Sequence, residues 1–138
     1  MASTYIAYVP RKRLPTPAQL NRALSSRGVR VKMAEDATLD AQSGVVSVSI
    51  DGVALNLQID ISELTGAAID AERAKLEAAG DEESEKRLTV LKTTNIRFAI
   101  GGDDDTGKWA REIARGLALL SCGAFENPAS GSLLHFGY

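Results

Sequence analysis

The sequence predicts a single α+β domain over residues 1–138, with a mixed or antiparallel sheet, a central hairpin at 46–61 and helices packed on one face. Three patterns carry this expectation. First, Val46–Ile61 alternates apolar and polar residues around Asp51-Gly52. A two-residue loop there pairs Ile50 with Val53, Val48 with Leu55 and Val46 with Leu57, all on one side of the pleat. Ser47, Ser49, Asn56, Gln58 and Asp60 fall on the other side, so one face is buried and one is wet. Second, Trp109, Ala110, Ile113, Ala114, Leu117, Ala118 and Leu120 recur at helical spacing between Asp105 and Ser121. Third, strands follow one another both directly and across helices, in the order β-α-β-β-β, a helical insert, then β-α-β with one more strand.

The elements follow in chain order. Thr4–Val9 reads as a strand, ended by Pro10 and the basic Arg11-Lys12-Arg13. Thr16-Pro17-Ala18-Gln19 starts a helix: threonine caps, proline suits the first turn, and Gln19 completes a capping box. Leu20, Ala23 and Leu24 form its inward stripe, and Arg27-Gly28 ends it. Val29–Met33 is a strand, and Glu35–Ser43 is a polar connection to the hairpin. Ser62 is expected to cap a helix running to Ala79, with Leu64, Ala67, Ala68 and Ala71 inward and Arg73 supporting Glu77. A second helix is expected within Asp81–Leu91. Asn95–Ile100 is a strand, Gly101–Asp105 a turn, and the Trp109 helix stops at Gly123. Ala124–Glu126, a turn at Asn127–Gly131 and a strand at Ser132–Phe136 complete the chain. Were the helices all on one face, the Ser/Asn/Gln side of the hairpin would be an open platform.

Composition narrows the function. With 44% hydrophobic and 25% charged residues the chain is expected to bury a core without staples. Its net charge of −2 argues against a nucleic-acid partner, and Arg11-Lys12-Arg13 reads as a solvated loop. One cysteine, Cys122, forbids an intrachain disulfide and fits a reducing cytoplasm. The basic cluster follows the short apolar stretch Tyr5–Val9, which is not a secretory pattern, and no apolar run reaches membrane-spanning length. No membrane partner is therefore expected.

The segment Gly102-Asp103-Asp104-Asp105-Thr106-Gly107-Lys108 has the spacing of a phosphate-binding loop. Trp109 stands where a magnesium-binding hydroxyl belongs, and three aspartates oppose a phosphate. The same aspartates lack the ligand pattern of a calcium loop. They read as helix-capping groups, or as an acidic contact surface for a basic partner. His135 is the sole histidine, which excludes multi-histidine metal sites, and as a general base it would need a fixed partner. Cys122 reads as a buried thiol, and Trp109 and Phe98 as core residues. Tyr5 and Tyr8 fall on opposite faces of one strand, so one is expected on the surface. No carboxylate spacing selects an acid/base pair. The chain is expected to be no enzyme and to hold no metal or cofactor.

Several segments in order resemble small α/β immunity proteins of bacterial polymorphic toxin and type VI secretion systems. They are the opening strand with Leu14-Pro15-Thr16-Pro17-Ala18-Gln19-Leu20, the strand pair through Asp51-Gly52, and Ile96-Arg97-Phe98-Ala99-Ile100-Gly101-Gly102-Asp103 leading to an alanine-rich helix. The closing Gly123-Ala124-Phe125-Glu126-Asn127-Pro128-Ala129-Ser130-Gly131 is similar to an aromatic-Asp-Pro-x-x-Gly turn. The chain departs from that pattern at Asn127, in place of the acid, and in the extra stretch Asp104–Gly107. The resemblance implies a non-enzymatic cytoplasmic inhibitor that occludes the active site of a cognate toxin. Asp103, Asp104 and Asp105, then Asn56, Gln58 and Asp60, are the expected partner contacts. The alternative is a homo-oligomeric structural or adaptor protein of phage or secretion type, a homodimer included, pairing through the hairpin's edge. On the buried side, Leu55→Ala is expected to cost about 2–5 kcal/mol.

Overall fold

The computed structural model describes residues 3–34, 44–50, 52–102 and 107–136. Its strands are β1 (Ser3–Val9), β2 (Val31–Met33), β3 (Gly44–Ile50), β4 (Val53–Glu63), β5 (Ile96–Gly102), β6 (Ala124–Asn127) and β7 (Ser132–His135). Its helices are α1 (Pro17–Ser26), α2 (Ala67–Ala79), α3 (Glu82–Thr93) and α4 (Gly107–Ser121), with a 3-10 turn at Arg11–Arg13. The strands form one sheet in the order β2-β3-β4-β5-β1-β6-β7, and every neighbouring pair is antiparallel. The fold is thus α+β with an antiparallel sheet, as the alternation and element order predict.

The hairpin has the register the sequence demands, with Ile50 opposite Val53, Val48 opposite Leu55 and Val46 opposite Leu57. Gly52 takes φ +86°, the left-handed conformation that a tight hairpin turn asks of glycine; Asp51 lies outside the described residues. Val48, Leu57 and Ile59 are buried, whereas Val53 beside the turn is 63% exposed. The hairpin supplies the second and third strands, and β5 is the middle one. Its edge is occupied where β2 pairs with Val48–Ile50 and where β5 pairs with 58–63.

The helices lie on both faces of the sheet, not on one. Ala7 and Val9 of β1 join the main core with Leu20 and Leu24 of α1 and with Ala110, Ile113, Ala114, Leu117 and Ala118 of α4. Ile6 and Tyr8, which point the other way, join a second core with Leu64, Val90, Leu91, Ala124 and Leu133. Alternation along β1 therefore feeds two cores from one strand. Sequence reasoning missed this because Thr4–Val9 is apolar almost throughout, as a strand covered on both faces must be.

The capping box on α1 is complete: Thr16 Oγ1 accepts from the Gln19 N–H, and Gln19 Oε1 accepts from the Thr16 N–H. Asn21, one turn on, uses both ends of its amide on the Met33 backbone, at 2.7 and 2.8 Å. That pair of bonds imitates a neighbouring strand and occupies part of the β2 edge.

Three local expectations are corrected. Ser62 does not cap a helix, because β4 runs on to Glu63 under its continuing alternation and α2 begins only after Gly66. Ala67, Ala68 and Ala71 face solvent; Ile69, Arg73 and Leu76 form the inward row, and Arg73 donates to the Leu91 carbonyl at 2.7 Å and pairs with Asp70. Leu120 ends the α4 stripe 39% exposed, since the core stops with Leu117 and Ala118.

The end of α4 divides the stop signal between two residues. Cys122 is the left-handed one, with φ +57°, while Gly123 N–H donates to Ala118 O at 2.8 Å and Cys122 N–H to Leu119 O at 3.3 Å. This is the Schellman pattern with cysteine where glycine is usual. The side chain pays for the left-handed backbone, so Cys122→Gly is expected to raise stability by about 1 kcal/mol in urea unfolding. An unchanged midpoint would show the conformation to be unstrained.

Candidate functional site

The second core covers only part of its face of the sheet. Over β2, β3 and β4 that face carries Lys32, Ala54, Asn56, Gln58 and Asp60, all exposed. The open platform predicted for the hairpin therefore exists, although the helices are split between faces. The pairing sets small residues beside the polar ones: Gln58 stands opposite Gly101, Asp60 opposite Ala99, and Ser49 opposite Ala54. Small neighbours leave the longer polar side chains proud of the surface. Gln58 Nε2 donates to Asp60 Oδ1 at 3.3 Å, which aligns the two along the strand. The structure thus brings Asn56, Gln58 and Asp60 together on one uncovered surface. Asp103, Asp104 and Asp105 lie outside the described residues.

Where the platform meets α2 and α3, a pocket of about 420 Å³ opens among Tyr8, Ser62, Leu64, Arg87, Arg97 and Glu126. Its floor is a buried polar chain. Tyr8 Oη donates to Glu126 Oε1 at 2.9 Å, and Arg87 donates to Glu126 Oε2 at 2.6 Å. Burial, reinforced by the Glu126 carboxylate, pushes the Tyr8 hydroxyl up to about 12. The hydrogen bond to Glu126 holds the Arg87 guanidinium above its ordinary value. Both Glu126 oxygens are engaged, so this carboxylate locks α3 to β1 and β6. Arg97, opposite Tyr8 and Ser62, has a buried Nε with no hydrogen-bond partner among the described residues.

Sequence reasoning missed this network. The readable sign was Glu126 beside the apolar pair Ala124-Phe125, on the same face as Ala124, where a carboxylate needs a partner. Its cation, Arg87, sits 39 residues away, and no local pattern connects them. The expectation that Tyr5 or Tyr8 would be on the surface also fails: Tyr8 is buried and Tyr5, half-buried, stacks on Phe125 with centroids 6.1 Å apart.

The network carries a pH prediction. Tyr8 keeps its proton to about 12 when folded, while the ordinary value is 10.0. Its contribution is complete below the unfolded value and is lost as pH rises through the folded one. The stability difference between the wild type and Tyr8→Phe is expected to shrink by roughly 2–3 kcal/mol between about pH 9 and pH 12. Urea titrations of both proteins check this, and a constant difference would contradict it.

Other candidate positions are settled locally. Lys108, at the lysine position of the phosphate-loop spacing, lies over the Trp109 ring with Nζ 4.7 Å from its centroid. Trp109 packs against the main core, and Phe98 is fully buried within it. Cys122 is half-buried, less enclosed than expected, and His135 ends β7 half-exposed opposite Ala124. Asn127 Oδ1 accepts from the Ala129 N–H at 3.2 Å, so the amide oxygen serves the turn. Among the described residues no cluster of three or more His, Cys, Asp or Glu is placed to hold a metal, and no helix is long and apolar enough to cross a membrane.

Compared with protein families, curated proteins and solved structures, the chain matches none. The class it defines is therefore architectural: an α+β protein whose seven-stranded antiparallel sheet has two cores and one uncovered polar surface.

Proposed function

We propose that the chain is a non-enzymatic immunity protein that binds a cognate bacterial toxin domain and neutralises it by occluding its active site. One observation carries the reading: the uncovered polar platform of Asn56, Gln58 and Asp60, set on a rigid sheet with a buried core beneath it. An exposed, hydrogen-bonding surface of this kind, whose three residues line none of the pockets described, suits the broad face of a folded partner better than a small molecule, which needs a concave site. The cytoplasm is the compartment where such an inhibitor acts. Secretion of the toxin through a type VI apparatus belongs to the same reading, as does an acidic contribution from Asp103–Asp105, joined in sequence to the strand beside Gln58.

The test is capture of the tagged protein from its native host, followed by binding measurements with the purified partner. A one-to-one complex with a toxin encoded beside this chain is expected. Asn56→Lys, Gln58→Lys and Asp60→Lys together are expected to weaken it about a hundredfold or more, because central interface residues carry most of the affinity. Recovery of the protein alone, or unchanged affinity in the triple variant, would contradict the proposal.

A further inference from the structure

On the side of α1 and α4, away from the platform, a groove of about 640 Å³ opens. Lys12, Arg13 and Arg22 line it together with Leu14, Ala23 and Leu120. The 3-10 turn splits the basic cluster. Arg11 turns to Glu63 at 2.8 Å, and its N–H donates to Asn95 Oδ1 at 2.9 Å, which anchors the turn. Lys12 and Arg13 are left on the groove with Arg22 of α1, and among the described residues no carboxylate lines it. None of the three cations has an ion-pair partner among the described residues. In a chain of net charge −2, this is a local concentration of positive charge against the overall sign. The apolar part is equally specific. Leu120 is 39% exposed although it continues the core stripe of α4, and Leu119 beside it is 41% exposed.

We propose that this groove is a docking site for an acidic peptide segment of a partner protein, one carrying a large apolar side chain among its carboxylates. The cations would pair with the carboxylates, and the apolar side chain would cover Leu120, Leu14 and Ala23. Two observations favour a peptide over a nucleic acid. Among the described residues no aromatic side chain lines the groove to stack a base, and a net-negative protein repels a long polyanion beyond the patch. The site is distinct from the platform and does not depend on the toxin reading.

Fluorescence anisotropy tests it, using a labelled peptide of glutamates interspersed with leucines and a labelled single-stranded oligonucleotide of equal charge. The peptide is expected to bind the wild type, more weakly as salt rises. Arg13→Glu with Arg22→Glu is expected to lower the affinity at least about tenfold, and the uncharged change Leu120→Ser to lower it without changing the salt dependence. All three side chains are exposed, so the variants are expected to melt as the wild type does. Absence of peptide binding, equal binding by the double variant, or preference for the oligonucleotide would overturn the proposal.

Discussion

Gly123→Ala is expected to be among the most damaging single changes in this protein, costing the upper end of, or more than, the roughly 1–3 kcal/mol typical of overpacking. A Cβ at Gly123 would stand 1.9 Å from the carbonyl oxygen of Tyr8. The obstacle is backbone, which cannot swing aside as a side chain tip does. It is also the backbone of β1, paired on one side with β5 and on the other with β6. Relief requires β1 or the α4–β6 corner to move by about an ångström, and packed interiors transmit such a shift. The movement would reach Tyr8, whose hydroxyl holds Glu126. Thermal and urea unfolding would register the loss, and a near-neutral result would mean that Gly123 is a helix stop and nothing more.

The second large effect is expected at Leu57. It is fully buried in the main core, between the hairpin and the α1/α4 layer, so Leu57→Ala removes apolar contact and leaves a cavity. The expected cost is about 2–5 kcal/mol. Leu57 tests the same face as Leu55, whose side chain lies outside the described residues, because residues two apart on a strand share a side. Gln58→Ala, one residue away on the platform, is the control: an exposed change expected within about 0.5 kcal/mol of the wild type. Equal losses at Leu57 and Gln58 would mean that the hairpin's faces are misassigned.

The contrast between these neighbours shows what was legible in the sequence. Strict alternation around Asp51-Gly52 fixed both the register and the wet face, because slipping by one residue would bury Asn56, Gln58 and Asp60. Thr16 and Gln19 announced the start of α1 because capping is a local exchange of hydrogen bonds. What escaped was non-local. The α2–α3 pair lies on the second face because Ile69, Leu76, Val90 and Leu91 find Ile6 and Tyr8, and no window of sequence holds those groups together. Ser62 misled because a hydroxyl before an alanine-rich stretch looks like a cap, while the alternation of β4 continued beneath it to Glu63. The Tyr8–Glu126–Arg87 chain spans β1, α3 and β6, and only the fold assembles it. The platform, by contrast, was readable because Asn56, Gln58 and Asp60 all lie on β4.

The central claim is that this platform neutralises a toxin, and a growth assay tests it most directly. The captured partner is expressed in a sensitive cell, alone, with the wild-type chain, and with the Asn56→Lys, Gln58→Lys, Asp60→Lys variant. The account predicts arrest by the partner alone, rescue by the wild type and failure of the variant despite normal folding. A harmless partner, or rescue by the variant as complete as by the wild type, would contradict it.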